Sequence, residues 1–396
     1  MDFTFSNEDQ AFRNEVREWL KKEIPPEWSE GYHKIWEDND EIWKITRRFE
    51  RKLAEKGWYA PSYPPQYGGI GASMMQQCIL AEEKAALGAP TIISQVISAE
   101  YVGPTIMRYG SEEQKERYVG GIGRADLVFS LGYSEPQAGS DLASLQTRAV
   151  EQDDHFVING QKTFNSLGHR ADYVWLAART DPDLPKHKGI SMFIVDTKTP
   201  GITIRPLINI CGYHHFDEVF FDDVRVPKTA LVGEKNRGWY YLMTALNYER
   251  SGIALPAALR QRVYDLIAYT RETPANGGVL ADDPLVRQKL AEMATEVEVA
   301  LLLAYRVVDL ESRGLIPAYE VSVSLMFSFE LSRHIAKLGG EILGLYGQLT
   351  RDSTWVPLRG AMEDLYVATL VLGIGGGSSE IQKNIIALLG LGLPRA

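Results

Sequence analysis

The hydrophobic periodicity of this chain changes twice, and that change limits its fold more than any single motif. Up to about residue 125 the apolar residues recur at helical spacing. Phe12, Val16, Trp19 and Leu20 share one helical face behind Ser6, a suitable N-cap. IPPEW at 24–28 and YPPQYGGIGAS at 63–73 interrupt the pattern, and SMMQQCILAEEKAALGAP predicts a further helix that ends at Gly88 and Pro90. PTIMRYGSEEQKERYV predicts two short helices around Gly110 and Ser111. From 126 to 235 the chain breaks into short runs rich in β-branched and aromatic residues: HFVINGQKTF, ADYVWLAAR, KGISMFIVD, GITIRPL and EVFFDDVRVP. Asn159-Gly160 is the dipeptide of a two-residue hairpin, which predicts a turn between two short strands there. From Gly238 onward long helical patterns return, several of them apolar on more than one face. Such helices are buried between neighbours, in a bundle or at a subunit interface. The expected architecture is α+β: an N-terminal helical domain at 1–125, a small antiparallel β domain at 126–235 and a C-terminal four-helix bundle at 236–396.

Charge and composition remove several classes of function. The 42 Lys and Arg against 52 Asp and Glu give a net charge of -10, with no basic block, so no nucleic-acid partner is expected. Cys78 and Cys211 are too few for a disulfide framework and suit a reducing cytoplasm. MDFTFSNEDQ lacks the apolar core of a signal peptide, and LYVATLVLGIGGG from Leu365 is too short and glycine-rich to span a bilayer, so a cytoplasmic protein without a membrane partner is expected. GIGRAD at 121 and GIGGGSS at 373 lack the third glycine of a dinucleotide fingerprint, and there is no P-loop. His214 and His215 are adjacent, a poor arrangement for two ligands of one ion, and His169 has no ligand-spaced partner, so no metal is expected. Cys211 lies in an apolar context with nothing to activate it.

The stretch FSLGYSEPQAGSDLASLQTRA, 129–149, is where chemistry concentrates. A loop of small residues, Ala138 to Asp141, follows a strand-like run. Its backbone N–H groups and the hydroxyls of Ser134 and Ser140 suit a polar or anionic cofactor. Taken alone, an ordinary Asp-capped turn is the better reading. YSEPQAGSD, however, closely resembles the TEPxAGSD signature of the acyl-CoA dehydrogenase family. The NGQK segment at 159–162, DDVRVP at 222–227, the GGGSSEIQ tail and the helix–β–helix order resemble that family in the same order over nearly the whole chain.

The resemblance implies FAD as cofactor and an acyl-CoA as substrate. It implies that Ser134 meets the pyrimidine end of the isoalloxazine, that Leu131 and Tyr133 offer main-chain contacts, and that Gly139 and Ser140 face the pyrophosphate and the CoA entrance. The family's Trp-x-Thr beside the flavin reads Phe164-Asn165-Ser166 here, so Phe164 keeps the aromatic face and Ser166 the hydroxyl. Ser378 and Glu380 match tail positions that touch the cofactor. Gly344, with Gly347, matches a segment that receives the adenine side of FAD from a neighbouring subunit, although Leu345 replaces a usual glycine. The segment around Arg271 departs from the family's pattern.

The catalytic base is displaced. Many members read Tyr-Glu-Gly-Thr-Ser where this chain reads Gly375-Gly376-Gly377-Ser378-Ser379, and that Glu is their base. The isovaleryl-type branch carries the base on an earlier helix, in a Glu-Arg pair that matches Glu249-Arg250. Leu242, Leu246, Glu249 and Ile253 share one helical face, which places a carboxylate on an apolar stripe. A paired core carboxylate and a functional base fit that stripe equally; the resemblance favours the base, whose pKa burial would raise. It also implies that the Gly376 N–H bonds the thioester carbonyl and that Asn247, Arg250 and Ser140 line the substrate path. The glycines imply a bulky acyl group, branched, cyclic or steroid-like. The expected reaction is α,β-dehydrogenation to the 2,3-enoyl-CoA, with an electron-transfer flavoprotein as acceptor and a homo- or heterotetrameric assembly. The alternatives are a subunit that only completes FAD sites for a partner chain, or a flavin oxidase or monooxygenase on the same fold.

Overall fold

The structure is a computed structural model, and it describes residues 5–29, 37–90, 93–245, 252–275 and 277–394. Its α-helices of seven or more described residues are α1 (Asn7–Glu23), α2 (Asp40–Glu55), α3 (Met74–Ala86), α4 (Gly103–Tyr109), α5 (Gly238–Ala245), α6 (Ala254–Glu272), α7 (Pro284–Ser312), α8 (Glu320–Leu343), α9 (Ala361–Ala368) and α10 (Ser379–Ile385). The strands of the main sheet are β1 (Phe129–Gly132), β2 (Arg148–Glu151), β3 (His155–Ser166), β4 (Tyr173–Arg179), β5 (Ile190–Asp196), β6 (Ile202–Leu207), β7 (Phe216–Pro227) and β8 (Leu231–Val232). By compactness the chain forms two units, each drawn from separate stretches. The first holds 1–36, 73–90 and 250–396, and the second holds 37–72 and 91–249.

The first unit is helical. Ser6 caps α1 by accepting from the Asp9 N–H, as its position in the sequence suggests. α7 starts on a capping Asp283 with Pro284 at its first position, where the missing N–H costs nothing. Leu259 and Val263 of α6, Met293, Val297 and Ala300 of α7, Leu331 and Ile335 of α8, and Met362 and Leu365 of α9 fill one apolar core. Their three- and four-residue spacings are what lets four helices meet along one seam. α1 is tied to α3 by charge instead: Arg13 reaches Glu82 and Glu83 at 2.7 Å each, and Arg17 holds Glu83 at 2.8 Å.

The second unit is built on an eight-stranded sheet of order β6-β7-β3-β2-β4-β5-β8, with β1 beside β4. Phe156, Ile158, Val174, Leu176, Phe193, Val195, Val219 and Phe221 pack its core. Two expectations from the sequence need correction. The sheet is mixed, because β1 runs parallel to β4. And no hairpin forms at Asn159-Gly160: β3 runs through it as one strand of 12 residues. Gly160 serves a close approach there, with φ +149 and Thr147 so near that a Cβ would lie 2.6 Å from its Oγ1. Asn159 meanwhile exchanges hydrogen bonds with Asp223 of β7 at 3.0 and 2.9 Å, and the β3–β7 register shifts beside it.

Candidate active site

In the second unit the predicted cofactor residues gather at the end of β1 and the end of β3. β1 delivers the chain into the YSEP turn, which closes on itself through reciprocal backbone bonds between Glu135 and Ala138, at 3.1 and 3.0 Å. Glu135 is buried, and it holds the loop in place. Its carboxylate accepts from the backbone N–H groups of Gln146 (2.6 Å) and Thr147 (2.8 Å), from Gln137 (2.8 Å) and from Lys162 Nζ (2.8 Å). Burial alone would raise its pKa; Lys162 and the N–H donors outweigh that and hold it ionised. Lys162 is fully buried in β3 and also donates to the Tyr133 carbonyl at 2.9 Å. Burial pulls its pKa down to about 8 against the pull of Glu135.

β3 answers from the other side. The Asn165 side-chain amide donates to the Leu131 carbonyl at 2.9 Å, and Ser130 Oγ donates to the Ser166 carbonyl at 2.8 Å. The Thr163 N–H donates to the Ser134 carbonyl at 2.9 Å. The register of β3 on β7 shifts again between Lys162 and Asn165, and Phe164 in that bulge has φ +57. An aromatic residue in left-handed backbone is strained. Phe164 is nevertheless 61% exposed, with its ring edge-on to Phe216. Its exposed ring flanked by the half-buried Ser134 and Ser166 is a fit surface for a planar, hydrogen-bonding ring system. Gly139 and Ser140 are exposed, and a Cβ built on Gly139 would meet nothing within 4 Å, so the loop backbone is open to close approach. The Asn165 Oδ1 is buried without a hydrogen-bond partner, an acceptor in need of a donor. These residues fit a flavin. Tyr133, by contrast, is committed to the core: it is buried, and its hydroxyl accepts from Trp175 Nε1 at 3.0 Å.

Just beyond Ser166 lies a cluster the sequence spacing does not reveal. Asp217 accepts from the His169 ring and backbone N–H, at 2.9 and 3.0 Å, and from His214 at 2.6 Å; His169 reaches Asp38 at 2.9 Å. The expectation that His169 lacks such partners is thereby corrected: folding brings distant residues together. The two rings are stacked, 3.9 Å apart and 21° from parallel. Rings stacked this way cannot both aim an in-plane lone pair at one ion, so the cluster is a hydrogen-bonded charge network. Burial opposes protonation of His169, but the two carboxylates prevail and raise its pKa to about 9.

In the first unit the predicted residues lie at two helix ends. Gly344 closes α8 with φ +60, followed by Leu345, which is 84% exposed. Ser378 caps α10 by accepting from the Ile381 N–H, and Glu380 is exposed in its first turn. Between α9 and α10 runs the glycine turn, with positive φ at Gly373, Gly376 and Gly377. A Cβ built on Gly375 or Gly376 would meet nothing within 4 Å. Among the described residues the Gly376 N–H has no acceptor. Asn247, Glu249 and Arg250 lie outside the described residues. The sequence reading missed Glu135, Lys162 and Asn165. A lysine inside an alternating strand was the available signal for the second, since a buried ammonium needs a partner.

A chain with an exposed ring, hydroxyls and an open glycine loop on a mixed sheet, and a helical unit ending in a glycine turn, has the parts of a flavin-dependent oxidoreductase. Comparison with known proteins carries this further. Residues 6–126, 130–224 and 236–389 match the N-terminal, middle and C-terminal domains of acyl-CoA dehydrogenase, respectively. Acyl-CoA dehydrogenase FadE26 of Mycobacterium tuberculosis is 36% identical over 404 residues, covering 100% of both chains. Among solved structures, the ChsE4-ChsE5 complex from Mycobacterium tuberculosis superposes with a TM-score of 0.90 at 36% identity, covering 100% of both chains. The Tcur3481-Tcur3483 steroid ACAD does so with a TM-score of 0.89 at 34% identity and the same coverage. The chain belongs to the acyl-CoA dehydrogenase family. It is therefore an oxidoreductase with the N-terminal helical, middle β and C-terminal helical domains of that fold, and its cofactor is FAD. No described helix is long and apolar enough to cross a membrane.

Proposed function

We propose that this chain converts a bulky acyl-CoA, of the steroid side-chain class, to its 2,3-enoyl-CoA, with Glu249 as the base. The observation that carries the reading is Gly376. A glycine at the family's base position cannot take a proton, yet among the described residues its N–H has no acceptor and the space around it is open. The carboxylate of Glu249 removes the α-proton while the Gly376 N–H donates to the thioester carbonyl, which gains charge as that proton leaves. The β-carbon gives up its hydrogen with the bonding electron pair, and the double bond forms between the two carbons. FAD, when bound, supplies the two-electron acceptor, and an electron-transfer flavoprotein is the partner that carries the electrons onward. Ser134 and Ser166 would orient the isoalloxazine beside the Phe164 ring; Leu131 of β1 and Tyr133 just after it would offer main-chain support; Gly139 and Ser140 would take the pyrophosphate, with Ser140 also at the CoA entrance; Asn247 and Arg250 would line the substrate path. Gly344 would meet the adenine side of FAD from a neighbouring subunit, and Ser378 and Glu380 match tail positions that touch the cofactor.

The bulky acyl group is supported by the missing side chains at Gly375 and Gly376: unfilled apolar volume around a thin chain forfeits contact energy. The names of the similar steroid ACAD and of the two-component complexes favour a steroid substrate and a second chain of the same fold. Exposed Leu345 and Trp355, at 84% and 75%, are apolar surface suited to such an interface. Glu249→Gln tests the base: anaerobic flavin bleaching by acyl-CoA should slow by roughly a hundred- to ten-thousand-fold, with FAD still bound. Bleaching at the parent rate would remove Glu249 from the mechanism. Competition between octanoyl-CoA and a steroid side-chain CoA thioester tests the pocket, and a preference for the straight chain would overturn the bulky-substrate reading. Mass measurement after co-expression with a second dehydrogenase chain separates a heterotetramer from a homotetramer.

A further inference from the structure

We propose that Arg333 is a positioning residue for the substrate thioester: it fixes the glycine turn so that the Gly376 N–H is held free to meet the acyl carbonyl. This rests on the role given to Gly376 above. Arg333 projects from α8 onto the end of α9. Its Nη2 donates to the Leu372 carbonyl at 3.0 Å, its Nε approaches the Thr369 carbonyl at 3.5 Å, and its Nη1 pairs with Glu330 at 2.9 Å. These carbonyls lie where the helix runs out of N–H partners and its dipole is negative, so a guanidinium both satisfies and neutralises them.

The geometry of the turn follows from that grip. The chain leaves the helical path at Gly373, with φ +87, where a Cβ would lie 2.9 Å from Arg333 Nη2. No larger residue fits under the guanidinium without displacing it. The Gly373 carbonyl then accepts from the Ser379 N–H at 3.0 Å, and Ser378 caps α10. The turn is thus clamped at its entrance by Arg333 and at its exit by the serine pair. Between the clamps, Gly375 approaches the Val371 carbonyl at 3.4 Å, and among the described residues the N–H groups of Gly376 and Gly377 have no acceptor. Three consecutive glycines have the widest backbone freedom of any tripeptide. A donor on such a segment stabilises developing charge only if its direction is set before the reaction. Arg333 sets it from one end. A lysine there presents a single point charge and cannot span carbonyls three residues apart as a planar fork does.

The test compares the FAD-loaded parent with Arg333→Gln and Arg333→Lys. Each is titrated with the enoyl-CoA product and with free CoA, followed by flavin absorbance, and each is assayed for kcat and KM. Free CoA has no acyl carbonyl, so it reports the rest of the binding path. Outright loss of one oxyanion donor lowers kcat by about a hundred- to a thousandfold; a misdirected donor should cost about ten- to a hundredfold in Arg333→Gln. Enoyl-CoA binding should weaken about tenfold while CoA binding holds, and Arg333→Lys should recover part of both losses. Unchanged kcat, or equal weakening toward enoyl-CoA and CoA with a lowered Tm, would reduce Arg333 to a helix cap. A parent that binds CoA but shows no spectral response to any acyl-CoA would sink the functional reading itself, and with it this one; that outcome is read before any variant is made.

Discussion

The loop frame of the sheet unit and the glycine turn of the helical unit hold their backbones in opposite ways. Around the YSEP turn every element is tied: Glu135 takes four donors, Lys162 spans two acceptors, and Asn165 and Ser130 stitch β3 to β1. Around Gly375 and Gly376, among the described residues, there is one arginine, one cap and open space. The difference matches what each region would bind under the proposed function. A rigid planar cofactor is served by a fixed frame, which can hold even a strained Phe164 in place. Under the proposed function, a bulky, irregular acyl group is served by removing side chains and leaving only a donor. The sheet side should therefore be costly to perturb in stability, and the turn costly in turnover and specificity rather than in stability.

The largest expected effect comes from the sheet. Lys162→Met leaves Glu135 buried without its cation. Removing one partner of a buried pair costs about 3–5 kcal/mol. Denaturant unfolding should show that loss, and FAD affinity should fall with it, since the Tyr133 carbonyl and the loop are released together. A loss below about 1 kcal/mol, the value of an exposed pair, would mean that the frame does not depend on this bond.

A second comparison uses glycine alone. Gly160→Ala places a Cβ 2.6 Å from Thr147 Oγ1 in backbone at φ +149. Overpacking of this kind costs about 1–3 kcal/mol. Gly375→Ala meets no atom within 4 Å, so its stability should stay within about 0.5 kcal/mol of the parent, as for surface changes away from special features. Gly375→Leu should likewise fold normally but move preference toward straight-chain acyl-CoA. Equal destabilisation of the two alanine variants would erase the contrast between frame and turn.

The same two regions show what the sequence discloses and what it hides. The switches in periodicity near 126 and 238 were legible because burial on one face imposes its period directly on the chain. So was the cap at Ser6, a strictly local hydrogen bond. Asn159-Gly160 misled because a local turn signal was overridden by tertiary demand: its glycine answers Thr147 across the strand, and its asparagine answers Asp223. The Glu135–Lys162 pair, the His169–Asp217 cluster and the Arg333 clamp join residues 27, 48 and 36 or 39 positions apart. No spacing rule in one sequence connects such residues. The family resemblance names candidate cofactor positions but not the groups that hold them.

The charge cluster behind Ser166 extends the contrast to pH. His169 is raised to about 9 from an ordinary 6.5, so its stabilising charge is fully present below about 6.5 and is lost as pH rises toward 9. His215 is lowered to about 4 by burial, so it withdraws stability as pH falls from about 6.5 toward 4. The Tm of the parent should therefore peak near the ordinary histidine value, falling on the acid side and, on the alkaline side, up to about pH 8, where release of the Lys162 proton begins to offset the loss. His169→Gln should remove the alkaline decline selectively while leaving the acid limb. An unaltered alkaline limb in that variant would show that Asp38 and Asp217 do not depend on the imidazolium.

The smallest effects are expected at the two hydroxyls proposed to meet the flavin. Ser134 and Ser166 are half-buried, and the backbone carbonyl of each is held from within the sheet unit, by Thr163 and by Ser130. Removing either hydroxyl thus leaves the frame standing. Ser134→Ala and Ser166→Ala should each keep the parent Tm and lose one bond to FAD, worth about 0.5–1.5 kcal/mol, a several-fold weaker dissociation constant. Each should also shift the flavin absorption band, because the polarity at the ring edge changes while the Phe164 contact does not. The two variants sharpen the comparison because they separate holding the frame from touching the ligand: Lys162→Met should lower both Tm and FAD affinity, and the serine variants only the second. If either serine variant lowered the Tm as much as it lowered FAD affinity, that hydroxyl would belong to the frame, and its assignment to the flavin would fall.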